Sequence, residues 1–191
     1  MFSDPILQKL VTKYPKPNFT DRSKFLFEDL IESIISQQLS IKASDTIFKR
    51  FQALFKTKSF PKPKDILEKS DEELRTAGIS FQKISYLKSV AHAFVSDLVD
   101  IKKIKTMTDQ EVIDSLTQIK GVGKWTAEMI LIFTLNRPDV FSIGDLGLRN
   151  AIAKLYGIID KQKMIELSET WKPHRSTASW YLWRSLENDK R

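Results

Sequence analysis

The sequence predicts an all-α protein, and three observations carry that prediction. Apolar residues return every three or four positions along most of the chain, as in Phe27, Leu30, Ile31, Ile34 and Ile35, the spacing that gathers them on one helix face. Helix-starting chemistry recurs: Ser70 precedes Glu73, and Thr108 precedes Glu111, at the spacing of a capping box. No pair of segments alternates apolar and polar residues with the period of two that a half-buried sheet requires.

Each element has its own reason. Asp4 can cap a helix with Pro5 at the first position, and Ile6, Leu7, Leu10 and Val11 form its stripe before Pro15 and Pro17 end it. The stripe of Phe27 to Ile35 makes a second helix, and Ile47, Phe48, Phe51, Leu54 and Phe55 make a third. Between them Ser36-Gln37-Gln38-Leu39-Ser40 is a polar break, and Pro61 and Pro63 later punctuate a connector. Ser70 opens a short helix that Gly78 can terminate. From Ser80, the pattern Phe81, Ile84, Leu87, Ala91, Phe94, Val95 and Leu98 gives a long amphipathic helix, and Thr108 opens the next. Four more follow over Trp125–Leu135, Leu146–Tyr156, Lys161–Trp171 and Ser176–Glu187, for about nine or ten in all.

Composition narrows the function. With 191 residues, 41% of them hydrophobic and 29% charged, the chain can bury a core as one unit or two small lobes. The 31 basic residues against 24 acidic ones give +7 and lean toward polyanions. They are spread through the chain, so any binding face must be assembled by folding. The absence of cysteine excludes disulfides and thiolate metal sites, and His92 and His174 are too isolated to hold a metal. No apolar run approaches the ~20 residues of a membrane span, and the first residues lack the parts of a signal peptide. A monomer in a prokaryotic cytoplasm, or an equivalent reducing compartment, with no membrane partner is the expectation.

The chemistry concentrates between Leu116 and Leu148. Gly121-Val122-Gly123 separates two helical patterns, which suits either a tight turn between packed helices or an anion site at the mouth of the following helix. Lys120 and Lys124 flank the turn and Thr126 adds a hydroxyl, a combination that fits a phosphodiester. Further on, Asp145 opens a helix. It reads equally as an ordinary N-cap and as an anion placed to act on a substrate.

These residues resemble the helix-hairpin-helix (HhH-GPD) superfamily of base-excision DNA glycosylases. Leu116 to Ala127 reads L-x-x-I-x-G-V-G-x-W-T-A, the loop Asn136 to Gly144 follows, and Asp145 stands after it. IISQQLSIKAS at Ile34 to Ser44 and WKPHRSTASWYLWR at Trp171 to Arg184 extend the likeness, which is nearest to the DNA-3-methyladenine glycosylase II branch.

The resemblance implies a two-lobed helical fold with a cleft, one lobe of residues 26–135 and the other of 1–25 plus 136–191. It implies a monofunctional glycosylase that flips alkylated purines of the 3-methyladenine type out of duplex DNA containing damaged bases. Asp145 would be the catalytic carboxylate, stabilising positive charge on the sugar and orienting water. Asp139 would stabilise the loop that carries it. Trp125 stands where bifunctional glycosylase/lyases carry a nucleophilic lysine, hence the reading without lyase activity. Gln38, with Leu39 beside it, would enter the vacated stack. Trp125, Trp183 and Met129 would line the base pocket, Met129 replacing a tyrosine found in some relatives, while Trp171 and Trp180 belong to the core. A cationic alkylated base gains cation-π attraction from such rings. Gly121, Gly123, Lys124 and Thr126 would bind the DNA backbone. The backbone carbonyls of Thr117, Ile119 and Val122 would hold a structural Na+ or K+, with no cofactor needed for the chemistry. The lack of cysteine excludes the iron-sulfur cluster of some relatives. Two alternatives stay open: a glycosylase for a deaminated or oxidised base, and a non-catalytic helix-hairpin-helix module.

Overall fold

The computed structural model describes residues 2–55, 57 and 59–187, and among them every regular element is helical. The chain divides into two compact units, Met1–Asp21 with Leu131–Arg191 and Arg22–Ile130.

In the first unit, α1 (Pro5–Lys13) is fixed at its start by Asp4, whose Oδ1 accepts the Ile6 and Leu7 N–H groups at 2.8 and 3.0 Å. The other oxygen of the same carboxylate accepts the Tyr156 hydroxyl at 2.9 Å and the Trp171 indole N–H at 3.0 Å. Burial, reinforced by the Asp4 hydrogen bond, raises the Tyr156 phenol above its ordinary pKa, so it remains the donor. Leu7 and Leu10 enter a core with Leu148, Ile152, Met164, Trp171 and Leu182.

The contiguous unit begins with a single 3-10 turn, Ser23–Phe25, that runs into α2 (Leu26–Ser36). The inner face of α2, Leu26, Leu30, Ile31, Ile34 and Ile35, is at most 1% exposed. It packs against α3 (Ile41–Ala53), and behind α4 (Pro63–Glu68) and α5 (Asp71–Arg75) comes α6 (Phe81–Val95), which packs on both α2 and α4. Ser40, Ser70 and Ser80 cap α3, α5 and α6 with their hydroxyls. Rings of Phe27, Phe48, Phe51, Phe55, Phe60 and Phe94 meet edge to face or stacked in the same core. Then α7 (Ile101–Thr106) leads to α8 (Asp109–Thr117), opened by the Thr108–Glu111 capping box, and α8 pairs with α9 (Lys124–Met129) across the glycine turn.

Beyond α9 the backbone widens into a π-helical turn, Ile130–Thr134. The first unit resumes with α10 (Leu146–Tyr156), closed by Gly157 at φ +69°, then α11 (Lys161–Glu169) and α12 (Arg175–Glu187). Helix α12 packs on both α1 and α10.

Three expectations need correction. Helices α4 and α7 were absent from the sequence reading because six residues complete fewer than two turns and leave no resolvable period. The single helix expected over Trp125–Leu135 is α-helical only to Met129. Trp171 is core at 1% exposure, whereas Trp180 is half-buried, its ring against Tyr181 and under the Arg184 guanidinium.

Candidate active site

Each unit carries candidate residues of its own. In the contiguous unit, α2 ends at Ser36 and the break before α3 is a reverse turn, closed by the Leu39 N–H on the Ser36 carbonyl at 3.1 Å. Gln37 sits at φ −48°, ψ 129° and Gln38 at φ +59°, a left-handed conformation unusual for a residue with a side chain. Two contacts hold the turn. Lys83 Nζ donates to the carbonyls of Ile35 and Gln37, both at 2.7 Å, and burial lowers the pKa of that ammonium. The Gln37 amide donates to the Gly121 carbonyl at 3.1 Å, which ties this turn to the glycine hairpin.

The two hairpin glycines differ in their surroundings. Gly121 lies at φ +95°, and a Cβ added there would meet Tyr86 Cγ at 2.3 Å, so packing and backbone conformation both exclude a side chain. Gly123 precedes α9 as its N-cap, and a Cβ there would meet nothing within 4 Å. The space beside it is therefore open. Lys124 is exposed, 3.9 Å from Glu128, and Lys120 Nζ donates to the Ser85 hydroxyl at 3.3 Å. Thr126 is 3% exposed, so its side chain packs inward and leaves Gly123 and Lys124 as the open face of the turn. Gln38, Leu39, Gly123, Trp125 and Thr126 line one concavity of about 540 Å³. Trp125 is 43% exposed there, and Leu39 is 39% exposed. Met129, half-buried, ends α9. Of the three carbonyls implied for a cation, Thr117 belongs to an exposed residue, while Ile119 and Val122 are buried.

In the other unit the loop before Asp145 is laced to the start of α12. Arg175 donates from Nε and Nη2 to the two Asp139 carboxylate oxygens at 2.8 and 3.0 Å. Burial opposes ionisation of Asp139, but the Arg175 hydrogen bonds and charge outweigh it and hold the carboxyl below its ordinary pKa. Ser176 Oγ donates to the Arg137 carbonyl at 2.6 Å and accepts the Val140 N–H at 3.0 Å. Arg149 Nη1 donates to the carbonyls of Ile143 and Gly144, at 3.1 Å each.

On this support Asp145 caps α10, its Oδ1 accepting the Leu148 N–H at 2.7 Å. The same oxygen accepts the Trp183 indole N–H at 2.8 Å. Trp183 thus touches the carboxylate itself, a contact the sequence reading did not contain. Its ring lies against Phe133 at 5.6 Å, and Phe133, 42% exposed, meets Phe19 at 6.0 Å. Gly147 is what lets the indole in: a Cβ there would stand 3.0 Å from Asp145 Oδ1 and 3.1 Å from Trp183 Cδ1. The sequence reading missed Gly147, Phe133 and Lys83. Gly147 had a signal, a glycine two positions inside a helix where propensity disfavours it. Phe133 and Lys83 had none, since each lies inside an expected helix where nothing in the spacing singles it out. Among the described residues, no group of three or more His, Cys, Asp or Glu side chains could hold a metal ion.

A glycine hairpin with an open N-terminal face, joined through Gln37 to a left-handed turn, and a helix-capping carboxylate gripped by an indole define a helix-hairpin-helix protein. Residues 31–175 match the model of the HhH-GPD superfamily of base-excision DNA repair proteins. DNA-3-methyladenine glycosylase 1 of Schizosaccharomyces pombe is 42% identical over 183 residues, 94% of this chain and 80% of that one. The solved structure of a 3-methyladenine DNA glycosylase from that organism, in complex with abasic DNA, superposes with a TM-score of 0.86 at 38% identity, over 97% of this chain and 93% of the other. A DNA-3-methyladenine glycosidase from Bacillus halodurans gives 0.80 at 32% identity, over 98% and 93%. The chain belongs to the HhH-GPD superfamily of base-excision DNA repair proteins.

Proposed function

We propose that this chain releases alkylated purines from duplex DNA by hydrolysis at C1′, with Asp145 as the acting carboxylate and water as the nucleophile. Excision of alkylated bases, the first step of base-excision repair, is the activity of its relatives and is the activity of this chain. The observation that supports the role of Asp145 is the pair of donors, Leu148 N–H at 2.7 Å and Trp183 Nε1 at 2.8 Å, on one of its oxygens. Donors on a carboxylate oxygen fix the direction in which the group faces.

Bond cleavage builds positive charge on the sugar, and a fixed anion lowers the barrier by stabilising that charge and orienting water. A purine alkylated on a ring nitrogen is cationic, takes the electron pair of the C1′–N bond and leaves as a neutral base without prior protonation, so no acid is required. Water and a carboxylate suffice for this hydrolysis, and no cofactor enters the bond-breaking step. Trp125 has no amine to form a Schiff base, which supports a product left as an intact abasic site. The exposed ring of Trp125 suits a flat cationic base and so, within the other unit, does the half-buried ring of Trp183 beside the exposed Phe133. Gly123 and Lys124 suit a phosphate, and Gln38 or Leu39 suits the gap left by the flipped nucleotide.

A Na+ or K+ ion would fit the hairpin carbonyls of Thr117, Ile119 and Val122, which are oxygen donors of the kind alkali ions take. The Ile119 oxygen accepts the Val122 N–H at 3.0 Å and has a second lone pair to offer. An ion held there would add positive charge for a DNA phosphate.

The deciding experiment is single-turnover release of free base from methylated duplex DNA. Asp145→Asn is expected to retain duplex affinity while release of 3-methyladenine falls by at least about a hundredfold. DNA should stay uncut until alkali is added. Undiminished release by the variant would remove Asp145 from the mechanism, and strand cleavage without alkali would overturn the reading of Trp125.

A further inference from the structure

The turn at Gln37 and Gln38 carries more than its sequence suggests. With Gln37 at φ −48°, ψ 129°, Gln38 at φ +59° and the Leu39 N–H on the Ser36 carbonyl, it has type II geometry. Types I and II differ by rotation of the central peptide by about half a turn, which reverses the direction of its carbonyl. In type I the third residue sits at negative φ, which any L-residue accepts. In type II it sits at positive φ, where glycine or asparagine is usual and glutamine is strained. Nothing in the local sequence QQLS favours the strained form, so something outside the turn must select it.

The carbonyl at the centre of that turn belongs to Gln37, and Lys83 Nζ donates to it at 2.7 Å. The lysine is anchored independently. Its second hydrogen bond goes to the Ile35 carbonyl at the end of α2, also at 2.7 Å, and its backbone N–H is capped by Ser80. A flipped peptide would turn the Gln37 carbonyl away and cost a charge-assisted hydrogen bond. The Gln37 side chain, held on the Gly121 carbonyl at 3.1 Å, resists the same rotation from the other side.

We propose that Lys83 is a positioning residue for base flipping: by holding the Gln37 carbonyl it keeps the Gln37–Gln38 peptide in its type II orientation and so fixes the direction in which Gln38 leaves the turn. The inference rests on the reading that this turn supplies the side chain that fills the vacated stack. Lys83 needs no contact with DNA in this role. It acts through Gln38, and its effect should vanish when Gln38 has no side chain to aim.

The test is a double-mutant cycle on the full chain, read by fluorescence of 2-aminopurine placed beside a flippable abasic analogue in duplex DNA. The proteins are wild type, Lys83→Met, Lys83→Arg, Gln38→Ala and the Lys83→Met/Gln38→Ala double variant. Lys83→Met and Gln38→Ala should each lower the opening equilibrium by about tenfold, the double variant should be no worse than Gln38→Ala, and Lys83→Arg should recover most of the loss. Affinity of Lys83→Met for undamaged duplex should match that of wild type. Losses that add in the double variant would overturn the role of Lys83 while leaving the wedge reading intact. Wild-type opening by Gln38→Ala would overturn the wedge reading and this inference with it. If Lys83→Met lacks the wild-type helical spectrum, Lys83→Gln, shorter and neutral, takes its place in the same cycle.

Discussion

At the scale of single residues, Trp183 combines two tasks in one side chain. Its ring lies against Phe133, while its N–H grips the carboxylate that caps α10. Phenylalanine at position 183 separates the tasks, since it keeps an aromatic face and removes the donor. Trp183→Phe should slow single-turnover base release by about ten- to a hundredfold, the range for loss of a hydrogen bond to a charged group. Duplex affinity should be unaffected, and an unchanged rate would show that the hydrogen bond does not matter to the chemistry. Asp145 was legible as a cap because the N–H it accepts lies three residues away. Its second donor was not, because Trp183 stands 38 positions further on and only folding brings the indole over Gly147.

Among elements, the glycine hairpin shows two identical residues in different surroundings. Gly121→Ala should destabilise the protein by about 2 to 4 kcal/mol, combining a left-handed backbone with a collision against Tyr86. Gly123→Ala should stay within about 1 kcal/mol of wild type, as an N-cap substitution into open space does. It should nevertheless weaken duplex binding by covering the N–H groups at the start of α9. Thermal melts and fluorescence anisotropy on the two variants decide it, and equal stability of both would contradict the distinction. Sequence showed the G-V-G turn but could not assign the two roles, since Tyr86 belongs to α6. Caps such as Ser70, Ser80 and Thr108 were legible because their partners lie within one helical turn. Helices α4 and α7 were hidden by their brevity, and the π turn after Met129 leaves no mark in apolar spacing.

For the molecule as a whole, pH reaches stability through Asp139. Arg175 holds this carboxyl below its ordinary pKa, so the unfolded chain takes up its proton first as the solution is acidified. The stabilisation is therefore complete above the unfolded value of about 3.9 and disappears as pH falls through the lower native value. Asp139→Asn should lower the urea midpoint at about pH 6, and its deficit against wild type should shrink toward about pH 3. A deficit that does not change with pH would mean the contact contributes by shape alone. The all-helical class and the loop role of Asp139 could be read from composition, periodicity and resemblance, but the lacing by Arg175 and Ser176 could not, because it joins segments 36 to 39 residues apart.

Asp4 gives the synthesis of this protein a definite order. It is translated well before the groups that its outer oxygen accepts from, Tyr156 and Trp171, which lie 152 and 167 positions further on. All the segments of Arg22–Ile130 are available long before then. A nascent chain therefore passes through a stage in which one half has everything it needs, while Leu7 and Leu10 on α1 still lack the core that will cover them. During that interval the exposed stripe of α1 is what a chaperone would meet, and translation of α12 brings the interval to an end.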